Sequence, residues 1–431
     1  MADDGKWWSQ TRERTYTPSS HALTTYPRLT TQTTATTMLP LSLLLSLLLT
    51  PARATYYPYI EYSGTTFFNG FDFYGAIDNT TWGNVTYVTA ADATAESLAF
   101  SNAAGNAIIK VDDRSTVLDV GPVQYRKSVR LTSKTAFDLG TLFVIDALHM
   151  PWGCSVWPSI WLNGVLQPGQ VWPNGGEIDL VEAINLMTAN QMALHSFEGC
   201  VQPANVTQLG QSLIKNCNDT SASGCTVAET KPNSYGPGFN ANNGGVFALQ
   251  FDTAGVFMWF WPRNATPASI DQATPKQTMN LTDWGTPSAS YPAAGCNISH
   301  FFAAQQLIVD ITLCGLWAGI DTIYSQDCKG TCFSSNIAGN GSNYADAYFE
   351  IPYIRTYTVN PALAANASAS ASALSVAQTT GAPSGSVAVA SPSQSSNAAA
   401  PAVGSGVWRV QLLLCTWVVL IAALAGGALV L

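Results

Sequence analysis

Between residues 55 and 360 the chain is broken into short apolar or alternating segments, each bounded by Gly, Pro, Asn or Asp. Ala107–Val111, Ser128–Ser133, Thr141–Ala147, Phe247–Phe251, Val256–Trp261, Gln306–Leu313 and Ala347–Tyr357 are examples. β-Branched and aromatic residues dominate them, and helical periodicity is almost absent. That pattern predicts an all-β fold, a sandwich or a barrel. No internal repeat is found, and no Pro/Ser-rich linker divides the stretch. One β-sandwich of many strands is therefore expected, not two domains.

Composition narrows the function. Charged residues make up 10% of the 431 residues, against about 25% in a typical globular protein. Aromatics make up 11%, with 13 Trp and 16 Tyr. A disordered chain, a coiled coil and a nucleic-acid binder are excluded, the last because it needs a basic face. Residues 55–397 carry 12 basic and 24 acidic groups. A sparsely charged, acidic, aromatic-rich surface suits a neutral polar ligand such as a carbohydrate.

Both ends read as processing signals. Residues 39–50 are an apolar run of 12, too short for a bilayer and right for a signal-peptide core. Ala52-Arg53-Ala54 follows as a small-x-small cleavage site, which places the mature start at Thr55. Met38 stands directly before the run, so residues 38–54 are expected to be the signal peptide. Residues 1–37 are then an extension from a wrong gene start. The alternative is one long leader over 1–54 carrying Arg12, Arg14 and Arg28. Residues 361–406 are uncharged and rich in Ala, Ser, Pro, Gly and Val, which reads as an unfolded, O-glycosylated stalk. Residues 407–431 are apolar except for Arg409 and Gln411. With Asn397-Ala398-Ala399 ahead of a polar spacer, this is the layout of a glycolipid-anchor signal. Ser395 or Ser396 would serve nearly as well as the attachment site, and a true single-pass helix is the competing reading.

Nine Cys occur, of which Cys415 lies in that tail. The other eight are Cys154, Cys200, Cys217, Cys225, Cys296, Cys314, Cys328 and Cys332, which reads as up to four disulfides of open connectivity. No C-x-x-C pair supports a metal site, and none is expected. Nine Asn-x-Ser/Thr sequons, at Asn79, Asn84, Asn205, Asn218, Asn264, Asn280, Asn297, Asn340 and Asn366, point to a secretory route.

The chemistry sits in Trp172-Pro173-Asn174-Gly175-Gly176-Glu177-Ile178-Asp179-Leu180-Val181-Glu182. Residues two apart on a strand share a face, so Glu177 and Asp179 point together. Strict alternation puts Glu182 opposite; a β-bulge near Leu180–Val181 restores it. Three carboxylates crowded on one face repel, and one is pushed to hold a proton at neutral pH. A proton donor beside an ionised neighbour is what retaining glycoside hydrolysis needs. Glu177 and Glu182 are the expected pair, with Asp179 assisting. A solvated acidic edge or a calcium site is the alternative. A solvated edge would need neither the Gly-Gly nor the apolar opposite face, and calcium is usually supplied by Asp/Asn-rich loops.

The string Glu-Ile-Asp-Leu-Val-Glu resembles the E-x-D-x-x-E signature of glycoside hydrolase family 16, in its bulged laminarinase-type branch. The likeness continues through His149-Met150-Pro151, Gly153-Cys154, Trp157-Pro158, Asn233-Ser234-Tyr235-Gly236-Pro237, Phe239-Asn240, Asp283-Trp284-Gly285-Thr286-Pro287 and Cys314-Gly315 with Trp317-Ala318-Gly319. It covers most of 55–357. The resemblance implies a β-jelly-roll of two curved antiparallel sheets with a cleft on the concave face. It implies Glu177 as nucleophile, Glu182 as acid/base and Asp179 as the assisting carboxylate, with no cofactor.

Trp161, Trp172 and Trp317 occupy positions similar to the family's cleft tryptophans, although an arbitrary Trp in a β-protein is more often core. Trp157 is assigned to the core. His195 is expected on the strand beside the carboxylates, near the cleft; the bland alternative is a structural histidine. Glu198 and Asp146 are read as structural. One departure is that Leu162-Asn163-Gly164 follows Trp161 where fungal relatives are more acidic, and the loop 162–171, expected to line the cleft, lacks charge. The resulting reading is a monomeric endo-β-1,3(4)-glucan hydrolase tethered at the cell surface. A β-glucan transglycosylase and an inactive glucan-binding protein are the alternatives. The bulged spacing favours the hydrolase.

Overall fold

The computed structural model describes residues 54–120, 125–218 and 223–368. The signal region up to residue 53, the stalk beyond 368 and the apolar tail lie outside the described residues. Two large antiparallel sheets dominate. The first runs, in spatial order, Gln211–Ser212, Cys225–Ala228, Gln191–His195, Glu177–Glu182, Val156–Gly164, Gln305–Leu313, Arg130–Phe137 and Phe71–Phe73. The second runs Tyr57–Ser63, Tyr353–Thr358, Thr141–Ala147, Gly245–Asp252, Gly255–Pro262 and Ala289–Pro292. The all-β expectation is borne out, as two packed sheets and not a closed barrel.

Alternation along the strands assigns the faces. In the first sheet Ile160, Leu162, Ile178, Leu194, Leu307, Val309 and Ile311 turn inward, and all are buried. They meet Phe143, Ile145, Phe247, Leu249, Met258 and Phe260 of the second sheet in one apolar core. Four disulfides, Cys154–Cys328, Cys200–Cys296, Cys217–Cys225 and Cys314–Cys332, take up all eight cysteines.

The outer faces of the two sheets differ. On the second sheet, Val144, Val246, Ala248, Trp259, Trp261 and Tyr357 are covered by Ile270, Met279 and Trp284. Trp284 packs edge-on against both Trp259 and Trp261, with centroids 5.2 Å away. That face is closed by its own side chains. The outer face of the first sheet carries instead the polar and indole residues described next. One sequence-based expectation is corrected here. Leu162, Asn163 and Gly164 belong to the strand Val156–Gly164, with Leu162 in the core, so they line no loop. The uncharged loop starts only at Val165.

Candidate active site

Glu177–Glu182 is a central strand, paired with Val156–Gly164 on one side and Gln191–His195 on the other. The register against Val156–Gly164 runs Glu177↔Asn163, Asp179↔Trp161, then shifts, so that Glu182 meets Ser159. The bulge lies between Asp179 and Val181, at the expected place. Ile178, Leu180 and Val181 are 0%, 1% and 0% exposed and join the core. Glu177, Asp179 and Glu182 share the outer face. Asn190 clamps the bulge: its Nδ2 donates to the Leu180 carbonyl at 2.9 Å and its Oδ1 accepts from the Glu182 N–H at 3.0 Å. Ser234 Oγ accepts from the Asn190 N–H at 3.0 Å in turn.

The two glycines before the strand have separate reasons. Gly175 lies against Gly164, where a Cβ on Gly164 would come 2.0 Å from the Gly175 carbonyl oxygen. Gly176 has φ +71° and the Phe302 ring beside it, 2.3 Å from where a Cβ would stand. The turn they close, with Asn174 N–H on Val171 O and Gly176 N–H on Pro173 O, folds Trp172 back over Glu177. Trp172 Nε1 donates to Glu177 Oε2 at 3.0 Å, and its ring lies 5.6 Å from His195. His195 pairs directly with Glu177 across the ladder. Its Nε2 is 3.1 Å from Asp179 Oδ2 and 3.8 Å from Glu177 Oε1.

At the other end of the strand Trp157 Nε1 donates to Glu182 Oε1 at 2.8 Å. Trp157 was expected in the core; it is buried, but it holds a carboxylate. Its ring meets Trp317 edge-on at 5.5 Å, which brings Trp317 to the Glu182 end. Trp161 is 9% exposed. Its Nε1 donates to Asp310 Oδ1 at 3.0 Å and the Arg130 guanidinium lies 5.1 Å from its ring. It forms floor beneath the acids, not an open platform. All seven residues singled out from the sequence therefore gather on one face. Asp146 pairs with Arg263, away from this group.

Asp310 and Asn190 were missed. Asp310 is a lone acid in Leu-Ile-Val-Asp-Ile-Thr-Leu, and alternation alone would have put it on the carboxylate face. It is 6% exposed and takes bonds from Trp161 and from Tyr87 Oη, the latter at 3.2 Å.

Burial and mutual charge set the protonation. Burial is the largest cause for all three acids, ahead of the repulsion the sequence suggested. Glu177 is pushed up to about 8 by burial and by Asp179 and Glu182, while His195 and the Trp172 N–H pull it down. Glu182 is pushed up to about 8 by burial and Asp179, with the Trp157 N–H opposing. Asp179 rises to about 8 through burial and the charge of Asp310. Its Oδ2 accepts no well-formed hydrogen bond, and His195 Nε2 is its polar neighbour at 3.1 Å. Glu177, Asp179 and His195 also bring ligand atoms within 4.8 Å of one another. With indole donors on both glutamates and protons held near neutrality, the group suits acid–base and nucleophilic work.

A β-sandwich with indole-held, proton-sharing acids on its open face defines the class: an enzyme that cleaves glycosidic bonds. The family described as the XgeA-like, catalytic GH16 domain matches residues 71–357, and the chain belongs to glycoside hydrolase family 16. It is 37% identical over 338 residues to a probable endo-1,3(4)-β-glucanase of Aspergillus niger, covering 76% of this chain and 43% of that one. The chain thus spans less than half of that relative's length. The GH16 laminarinase 16A of Phanerochaete chrysosporium, solved with 6-O-glucosyl-laminaritriose in both donor and acceptor sites, is 37% identical. Its TM-score is 0.65, over 71% of this chain and 100% of that one. An elongating GH family 16 β-1,3-glucosyltransferase is 34% identical with a TM-score of 0.63, over 70% and 100%.

Proposed function

We propose that the protein is a retaining endo-β-1,3(4)-glucan hydrolase. The observation that carries this is the bulge at Leu180, which turns three acids, Asp179 buried and the two glutamates half-buried, to one face between Trp172 and Trp157. Glu177 is the nucleophile: its carboxylate bonds to the anomeric carbon while Glu182 gives its proton to the departing glycosidic oxygen. Water then loses a proton to Glu182, attacks the same carbon and frees Glu177. Asp179 holds the proton nearest the nucleophile while Glu177 is charged. Trp172 and Trp317 stack on sugar faces, Trp161 supports the floor, and His195 orients Glu177 and Asp179. The named relatives include both β-glucanases and a glucosyltransferase, so hydrolysis and transfer must be told apart by experiment.

The full chain, secreted from a eukaryotic host, is incubated with a soluble β-1,3-glucan, and reducing ends and product lengths are followed. New reducing ends that fall about a thousandfold or more in Glu177→Gln support the hydrolase. Longer products with little gain in reducing ends would replace it with transfer. Unchanged glucan with binding intact would leave a binding protein.

The chain is also proposed to be exported and held outside the cell by a C-terminal glycolipid anchor, acting on cell-wall glucan. Four disulfides favour an oxidising compartment. Eight of the nine sequon asparagines are exposed, Asn84 being half-buried. Release by a phosphoinositide-specific phospholipase tests the anchor; membrane retention after that treatment would favour a spanning helix.

A further inference from the structure

Trp82 is the most exposed tryptophan among the described residues, at 66%. It also sits at φ +56°, a left-handed conformation that is a true outlier for a bulky side chain. A lone exposed apolar residue needs no explanation. One held in a strained backbone by a dedicated set of bonds does.

The holding is extensive. Asp78, 3% exposed, accepts from Thr80 N–H at 2.9 Å, Thr81 N–H at 3.1 Å and Gly83 N–H at 3.0 Å. It also takes the hydroxyls of Thr80, Thr81 and Thr312. These bonds keep its carboxyl below the usual range, although burial opposes them. Arg130 Nη1 donates to Thr80 Oγ1 at 3.0 Å. Leu316 N–H donates to Thr81 O at 2.9 Å, and Asn84 N–H to Leu313 O at 2.8 Å. Every residue around Trp82 is fixed, and only its ring is left out.

The place is the rim of the site. Gly83 lies so close to Thr312 that a Cβ would stand 1.8 Å from its Oγ1. Thr312 is the ladder partner of Trp157, which holds Glu182 and meets Trp317. Leu316, next to Trp317, is 61% exposed. Trp82 and Leu316 thus form an apolar lip just past the Trp157–Trp317 pair.

We propose that Trp82 is an outer sugar-stacking platform: it binds a pyranose ring of the glucan beyond the residues that hold the reacting bond. An indole held rigid takes the apolar face of such a ring with little ordering cost. The inference rests on the β-glucan reading above and makes the enzyme's preference depend on chain length.

The test uses the full secreted chain after enzymatic removal of N-glycans, because Asn79 and Asn84 flank Trp82. KM is measured on β-1,3-gluco-oligosaccharides of increasing length for the wild type, Trp82→Ala and Trp82→Phe. Trp82→Ala is expected to raise KM about three- to tenfold on long oligosaccharides only, at unchanged kcat, and Trp82→Phe to recover most of it. Trp82→Gly, which suits the positive φ, is expected to show the same KM loss with a higher unfolding temperature. Equal length dependence in wild type and Trp82→Ala overturns the inference. Binding of the same oligosaccharides to Glu177→Gln, with and without Trp82→Ala, separates the two readings. Length-dependent binding that needs Trp82, together with a wild-type chain that cuts no glucan, would sink the hydrolase and keep the platform. Binding indifferent to Trp82 would sink the platform.

Discussion

At the scale of the residue, the two glutamates are distinguished from ordinary surface acids by what donates to them. Each takes one indole N–H, Glu177 from Trp172 and Glu182 from Trp157. A hydrogen bond to the ionised form holds a carboxyl down against burial. Trp157→Phe keeps the ring and removes the donor, so Glu182 keeps its proton to higher pH. If Glu182 is the general acid, the basic limb of the kcat/KM profile moves to higher pH, with about a tenfold loss or less at the optimum. A limb that stays in place would remove Glu182 from the role of proton donor.

At the scale of the element, one strand does two jobs because one residue is inserted into it. Were the same residues in strict alternation with no bulge, Glu182 would enter the core and Val181 would face out. The bulge is held by Asn190, 1% exposed, which satisfies both an N–H and a carbonyl that the ladder leaves unpaired. Asn190→Ala should therefore destabilise the domain by about 1–3 kcal/mol. It should also lower kcat by about ten- to a hundredfold through misplacement of Glu182, with little change in KM. Thermal unfolding and steady-state kinetics read the two effects separately. A variant that is less stable but catalytically intact would show that the ladder alone sets the position of Glu182.

At the scale of the whole molecule, the site is a stability cost with a definite pH dependence. A carboxyl raised in the folded state binds its proton more tightly there than in the unfolded chain. Its contribution is favourable below the ordinary carboxyl value of about 4 and is lost as pH rises through the folded value. Glu177, Asp179 and Glu182 all rise to about 8, so the unfolding temperature should fall between about pH 4 and pH 8. Asp179→Asn, neutral at every pH, should flatten that fall and stabilise the protein at pH 8, while activity drops. A wild-type unfolding temperature independent of pH over this window would contradict the raised proton affinity of the three acids.

The sequence by itself determined the sandwich, the faces of the Glu177–Glu182 strand and the place of the bulge. These follow from local periodicity, and periodicity is written into consecutive residues. It also exposed the three acids, because Glu177-Ile178-Asp179 places polar groups where an apolar strand has no use for them. Asp310, Asn190 and Trp157 were not legible in their roles. Their partners lie on other strands: Asp310 is 149 positions from Trp161, and Trp157 is 25 from Glu182. Only register brings such pairs together, and register is settled by packing two sheets at once. The cause of the raised acids was likewise decided by the tertiary structure. Spacing shows that charges are near one another, but desolvation, the larger effect, exists only once the strands have closed around them.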